Sequence, residues 1–220
     1  MKNATLIEAN RKMINAKRDE KAIKAGSYTS TIATSTMTTY AYGMWVNNTT
    51  NYPTSSGYPS AGICGTISAA GLMAYYDDYV YDSYVPSSLR IRFSSNPGTL
   101  ITTLYSYIDA LCPSGTVYTD VRNGINSYLA SIGYYGAGHY AIGGTTTWTK
   151  AKSEISSGYP LCIGLLSALG STYGNHWVLA YQYLDSGSSY TSYYKVVDNH
   201  GSASAVVSVN WTLGYVCVSR

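Results

Sequence analysis

One cysteine in this chain stands apart by its surroundings. Cys64 lies in Gly62-Ile63-Cys64-Gly65-Thr66, and Ile67, Ala70, Leu72, Met73 and Ala74 follow it at helical spacing. The pattern predicts a helix from Cys64 to about Val80, with the cysteine at its N-terminus. There the unpaired N–H groups and the positive end of the dipole favour an anion. A thiol so placed is expected to ionise readily, and the thiolate is the nucleophile. His176 opens an apolar, strand-like run, His176-Trp177-Val178-Leu179-Ala180-Tyr181, and a second run, Tyr193 to Val197, ends in Asp198-Asn199. Cys, His and Asp in that order provide a nucleophile, a base and an orienter. Cys64 attacks a carbonyl, His176 takes and returns the proton, and Asp198 fixes the imidazole tautomer. Asn199 is the alternative orienter and His200 the alternative base. His139, in Gly136-Ala137-Gly138-His139, reads as a solvated loop histidine.

The elements that must position these groups follow from periodicity and punctuation. Asn96-Pro97-Gly98 breaks the chain, and Leu100, Leu104, Tyr107, Ile108 and Leu111 then predict a helix that Cys112 closes. Asp120 is expected to cap a helix bearing Val121, Ile125, Tyr128, Leu129 and Ile132, with Gly133 as its stop. A third helix is expected over Thr147–Ser157. From there strands take over: Leu161–Leu166, His176–Tyr183, Ser192–Val197, Ala205–Val209 and Tyr215–Val218, with a hairpin at Asp185-Ser186-Gly187-Ser188. Short strands are also expected at Ile32–Thr39 and Tyr42–Val46. Asp77, Asp78 and Asp82 read as the wet end of the first helix, or else as a calcium site. Helices followed by an antiparallel sheet give an α+β fold.

The motifs resemble those of papain-like cysteine peptidases, nearest to the bacterial branch that clips double-glycine leader peptides. Cys64-Gly65 leading to Tyr75-Tyr76, Asn175-His176 before a valine-bearing strand, and Asp198-Asn199-His200-Gly201 each match a family motif, over roughly residues 58–218. The resemblance implies a papain-like fold, with the nucleophile's helix packed on a C-terminal antiparallel sheet. It also implies a thiol endopeptidase with Cys64, His176 and Asp198 as its triad. His200 stands where the family carries a tryptophan over the Asp–His pair. The family's oxyanion glutamine, five or six residues before the cysteine, is missing. Loss of one such donor typically costs on the order of a hundredfold in turnover. Tyr58, Ser60 and Asn51 are the candidate replacements, beside the Cys64 main-chain N–H; Asn199 and Trp177 are further substrate-binding candidates.

Composition bounds the alternatives. The chain has 220 residues, 45% of them hydrophobic and only 11% charged, with 25 tyrosines against one phenylalanine. That is enough to bury a core. The tyrosines suit half-buried surfaces and contacts to peptide or sugar. Of the 14 basic residues, seven precede Ala25 (Lys2, Arg11, Lys12, Lys17, Arg18, Lys21 and Lys24) against three acidic ones, so the first segment is positive and the rest, with seven basic and eight acidic residues, is near neutral. Residues 1–25 read as a charged helical pro-segment or arm, and 26–220 as the peptidase domain. The near-neutral body offers no basic face for nucleic acid, and no apolar run reaches membrane-spanning length. Cys162 and Cys217 read as small core residues, and no Cys/His spacing suggests a metal, so no cofactor is expected. The expected chain is a secreted, monomeric enzyme acting on peptide or protein, although no signal-peptide apolar core is visible. A thiol amidase or peptide-transfer enzyme, or a non-catalytic peptide- or glycan-binding protein, are the alternatives.

Overall fold

The computed structural model describes residues 27–41, 63–89, 98–112 and 115–218. Segment 1–25, the expected strand Tyr42–Val46, and Asn51, Tyr58 and Ser60 lie outside the described residues. Among the described residues there are five α-helices: α1 (34–41), α2 (Cys64–Tyr79), α3 (Gly98–Tyr107), α4 (Tyr118–Ser131) and α5 (Gly144–Ser156). The strands are β1 (Gly138–Ile142), β2 (Leu161–Leu165), β3 (His176–Leu184), β4 (Tyr193–Val197), β5 (Ala205–Ser208) and β6 (Thr212–Val218). They form one antiparallel sheet in the order β1-β6-β2-β3-β4-β5. The fold is α+β.

Alternation along the strands sorts the core into two layers. Trp177, Leu179 and Tyr181 of β3 and Val216 and Val218 of β6 face the helices α2, α3 and α4. Val178 and Ala180, Tyr194 and Val196, and Tyr215 and Cys217 face the other way, onto Trp148, Ala151 and Ile155 of α5. Helix α2 is enclosed on nearly every side, with all residues from Gly65 to Asp77 buried. That is why its sequence shows small and apolar residues almost without a polar stripe. Gly71 lets the helix approach the sheet, since a Cβ there would stand 3.2 Å from Leu179 Cδ2.

Several expectations change. The threonine-rich stretch at Ile32–Thr39 is helical over 34–41 rather than extended, because Met37, Tyr40 and Ala41 recur at helical spacing and are buried. Burial on one face outweighs the β-propensity of its threonines. Asp77 is not at a wet end: it is buried, and its carboxylate accepts the Val85 N–H at 3.0 Å. Asp78 accepts the Tyr40 hydroxyl at 2.6 Å. Asp120 sits inside α4 and reaches back to the Val117 N–H, at 2.9 Å. The glycine-rich stretch around His139 is the edge strand β1, held to α4 by both amide atoms of Asn126 on Gly138. The tyrosines largely build the core, with their polar tips on main-chain carbonyls: Tyr128 to Tyr84, Tyr75 to Gly158, Tyr118 to Gly164.

Candidate functional site

Cys64 is the first residue of α2, as expected, and is partly buried. Its sulfur lies beside the peptide joining His176 to Trp177. The main-chain N–H groups of Trp177, Gly65 and Cys64 itself favour the thiolate. Burial opposes them and is the larger effect, and the carboxylate of Asp109 adds to it, so the thiol is pushed above its ordinary range. The expectation of an easily ionised thiol is thereby reversed. Ile63 precedes the helix and has no oxygen to cap it. Asp109, buried on the turn after α3, does the capping instead and accepts the Thr66 N–H at 2.9 Å. The positive end of α2 therefore already faces one acid, and a thiolate would be a second. Gly65 is required by this crowding: a Cβ there would fall 2.8 Å from Thr116 Oγ1.

His176 opens β3, and its Nε2 lies 2.8 Å from the main-chain carbonyl of Asp198. A carbonyl only accepts, so Nε2 carries the proton and Nδ1 is the basic nitrogen. Tyr173 and His200 lie nearly parallel to the ring, with centroids at 5.7 and 4.7 Å. His200 thus covers the face where the resemblance places a tryptophan. Burial, chiefly, pulls the imidazole below its ordinary value. The His200 ring adds to that, while the Asp198 carbonyl and charge oppose it.

The role of Asp198 differs from the expected one. Its Oδ1 accepts the N–H groups of His200 and Ser202 at 2.8 and 2.9 Å, closing a turn, so the carbonyl rather than the carboxylate orients His176. Strand β4 stops at Val197 and Asn199 has φ 60°, so strand alternation does not extend to these residues. Asn199 does not touch the ring. Its buried amide donates to the Trp177 carbonyl at 2.8 Å, to Ser68 Oγ at 2.7 Å and to the Cys64 carbonyl at 3.5 Å. It fastens the histidine's strand to the cysteine's helix. Trp177 is a core residue and not an oxyanion donor: it packs on Tyr118 at 5.1 Å, and its indole N–H donates to the Thr116 carbonyl. Tyr58, Ser60 and Asn51 lie outside the described residues.

Three contributors escape motif reading. Asp109 is a lone acid in an apolar run, Ser68 is the polar residue one turn after Cys64, and Tyr173 is one tyrosine among many. An open cleft on the α5 side, lined by Trp148, Leu169, Tyr194, Asn210 and Leu213, includes none of Cys64, His176 and Asp198. Outside the site, His139, Glu154 and Cys217 come together. No protein-family model, curated protein or solved structure matches the chain.

Proposed function

We propose that the chain is a papain-like thiol hydrolase that cleaves peptide bonds through an acyl-enzyme on Cys64. The observation that carries this reading is the seat of the Cys64 sulfur: the N-terminus of α2, against the peptide that follows His176. Burial raises the thiol and lowers the imidazole, so the resting pair is neutral thiol and neutral imidazole. His176 then acts as a general base. As sulfur bonds to the substrate carbonyl carbon, the thiol proton moves to Nδ1, and Nε2–H stays on the Asp198 carbonyl. The imidazolium, supported by the Asp198 charge, returns that proton to the departing amine. Water then hydrolyses the thioester. In this reading the oxyanion is met by the main-chain N–H groups of Cys64 and Gly65 at the α2 terminus.

Alkylation followed by peptide mapping tests the assignment. Cys64 should be the labelled thiol, with a rate that climbs above neutral pH and falls in His176→Ala. Labelling at Cys112, Cys162 or Cys217 in its place would refute it. Asp109 supports a second reading, a non-catalytic peptide-binding protein, because its charge disfavours the thiolate. Labelling of Cys64 without turnover of any peptide would select it.

A further inference from the structure

His139 and Cys217 are direct partners in the antiparallel β1–β6 pairing. The histidine Nε2 meets the cysteine Sγ at 2.7 Å. Glu154 of α5 brings Oε1 to 3.9 Å from the same nitrogen, and the three ligand atoms all lie within 4.8 Å of one another. Three elements distant in sequence thus converge one imidazole, one thiol and one carboxylate on a single point. This is the donor set of a first-row divalent ion with both soft and hard ligands.

Ligand–metal distances near 2.0–2.3 Å place tetrahedral ligand atoms about 3.3–3.8 Å apart. An ion therefore enters by parting the thiol–ring contact by about an ångström while the carboxylate closes in. The surroundings suit that step. Cys217 is wholly buried, whereas the His139 and Glu154 side chains are 39% and 30% exposed. The cluster has a buried back and a solvent-facing front that water reaches. Strand β1 is the edge of the sheet, and Glu154 reaches the cluster from outside it.

We infer that His139, Glu154 and Cys217 form a binding site for a divalent transition ion of the zinc class, with water as fourth ligand. Binding releases the Cys217 thiol proton to solvent and leaves a thiolate on the metal. The ion ties β1 to β6 and α5. The site owes nothing to the chemistry proposed for Cys64.

Cobalt titration of the full chain under reducing conditions tests it. Expected is a stoichiometric rise of thiolate-to-cobalt absorption in the near ultraviolet, together with tetrahedral visible bands, all bleached by zinc. Cys64→Ala should keep this spectrum and Cys217→Ser should lose its near-ultraviolet part. Glu154→Gln sits on the exposed side and should fold. It should weaken cobalt binding by at least the roughly tenfold that loss of a mere supporting partner costs. A featureless titration would overturn the site and leave a thiol–imidazole hydrogen bond. So would a spectrum that survives Cys217→Ser, one lost in Cys64→Ala, or unchanged affinity in Glu154→Gln.

Discussion

Cys64 with His176 and Cys217 with His139 are the same two residue types held in opposite ways. Cys64 stands at a helix terminus, and its histidine arrives on another element whose ring is fixed from behind by a carbonyl. Cys217 stands within a strand, faces its histidine directly across the ladder, and is buried in the core layer beneath α5. Both thiols are pushed upward by burial. Of the two, only Cys64 has main-chain N–H groups that favour its thiolate. The two sulfurs therefore differ in what surrounds them, and that difference is what the proposed roles of nucleophile and metal ligand rest on.

The largest contrast should come from deleting the two groups proposed to react. Cys64→Ala and His176→Ala are each expected to lower peptide hydrolysis by about three orders of magnitude or more. Cys112→Ser should stay within a few-fold. Turnover of a fluorogenic peptide library measures this, and survival of activity in Cys64→Ala would break the comparison at its root.

A sharper test lies at the end of β4. Asp198→Asn keeps an oxygen for the turn and leaves the main-chain carbonyl in place. Its loss in turnover should fall well short of the roughly 10⁴-fold seen when a carboxylate itself sets a histidine's tautomer. Losing the charge should lower the His176 pKa further, moving the acid limb of the rate profile to lower pH. Asn199→Ala leaves the buried Trp177 carbonyl and Ser68 hydroxyl without a partner. It should cost about 1–3 kcal/mol in denaturant unfolding. Asp198→Asn more destabilising than Asn199→Ala would mean that the helix–strand fastening lies elsewhere.

Asp109→Asn is expected to act on both thiol chemistry and stability. The amide still accepts from Thr66, but the charge facing Cys64 is gone, so the alkylation profile should shift to lower pH. Burial raises the Asp109 carboxyl above its ordinary range. In a group raised on folding, the unfolded chain ionises first. Stability therefore falls as pH climbs from the ordinary carboxylate range through the raised value, and stays lower beyond it. The Asn variant should lose that fall and unfold at higher denaturant at neutral pH. An unchanged thiol profile would show that Asp109 does not govern Cys64. A pair of glycines comes last, and the second of them is the smallest effect. Gly65→Ala, aimed at Thr116 Oγ1, should destabilise by about 1–3 kcal/mol, and Gly71→Ala by less, because Leu179 can yield.

The elements were legible where one periodicity dominated. Helix α2, the helix rich in Tyr128 and Leu129, and strands β2 to β6 could all be read from spacing to within a few residues. Strand β1 could not, since a five-residue edge strand among glycines owes its form to β6 and Asn126 rather than to its own residues. Cys64, His176 and Asp198 draw notice in the sequence because each sits at the border of an apolar run. Their roles depended on more. The reach of Asp109 to the α2 terminus, and the break in β4 that turns the Asp198 carboxylate away from the ring, arise from tertiary placement that no local pattern encodes. The meeting of His139, Glu154 and Cys217 is invisible for the same reason: no metal-ligand spacing joins residues on three separate elements.

The position of β6 between β1 and β2 also bears on when each half of the molecule is made. Strands β2 to β5 lie side by side in the order the chain supplies them, so each can zip onto its predecessor through a short connection. Strand β6 must instead travel back across that sheet, and β1 gains its partner only when Gly138 meets Val218 and Ile142 meets Gly214. Loop-closure entropy delays such pairings. During refolding the amides around His176 and Val197 should gain protection from hydrogen exchange before those of β1 and β6. One cysteine–histidine pair would then take shape on an open sheet, and the other only as that sheet is completed.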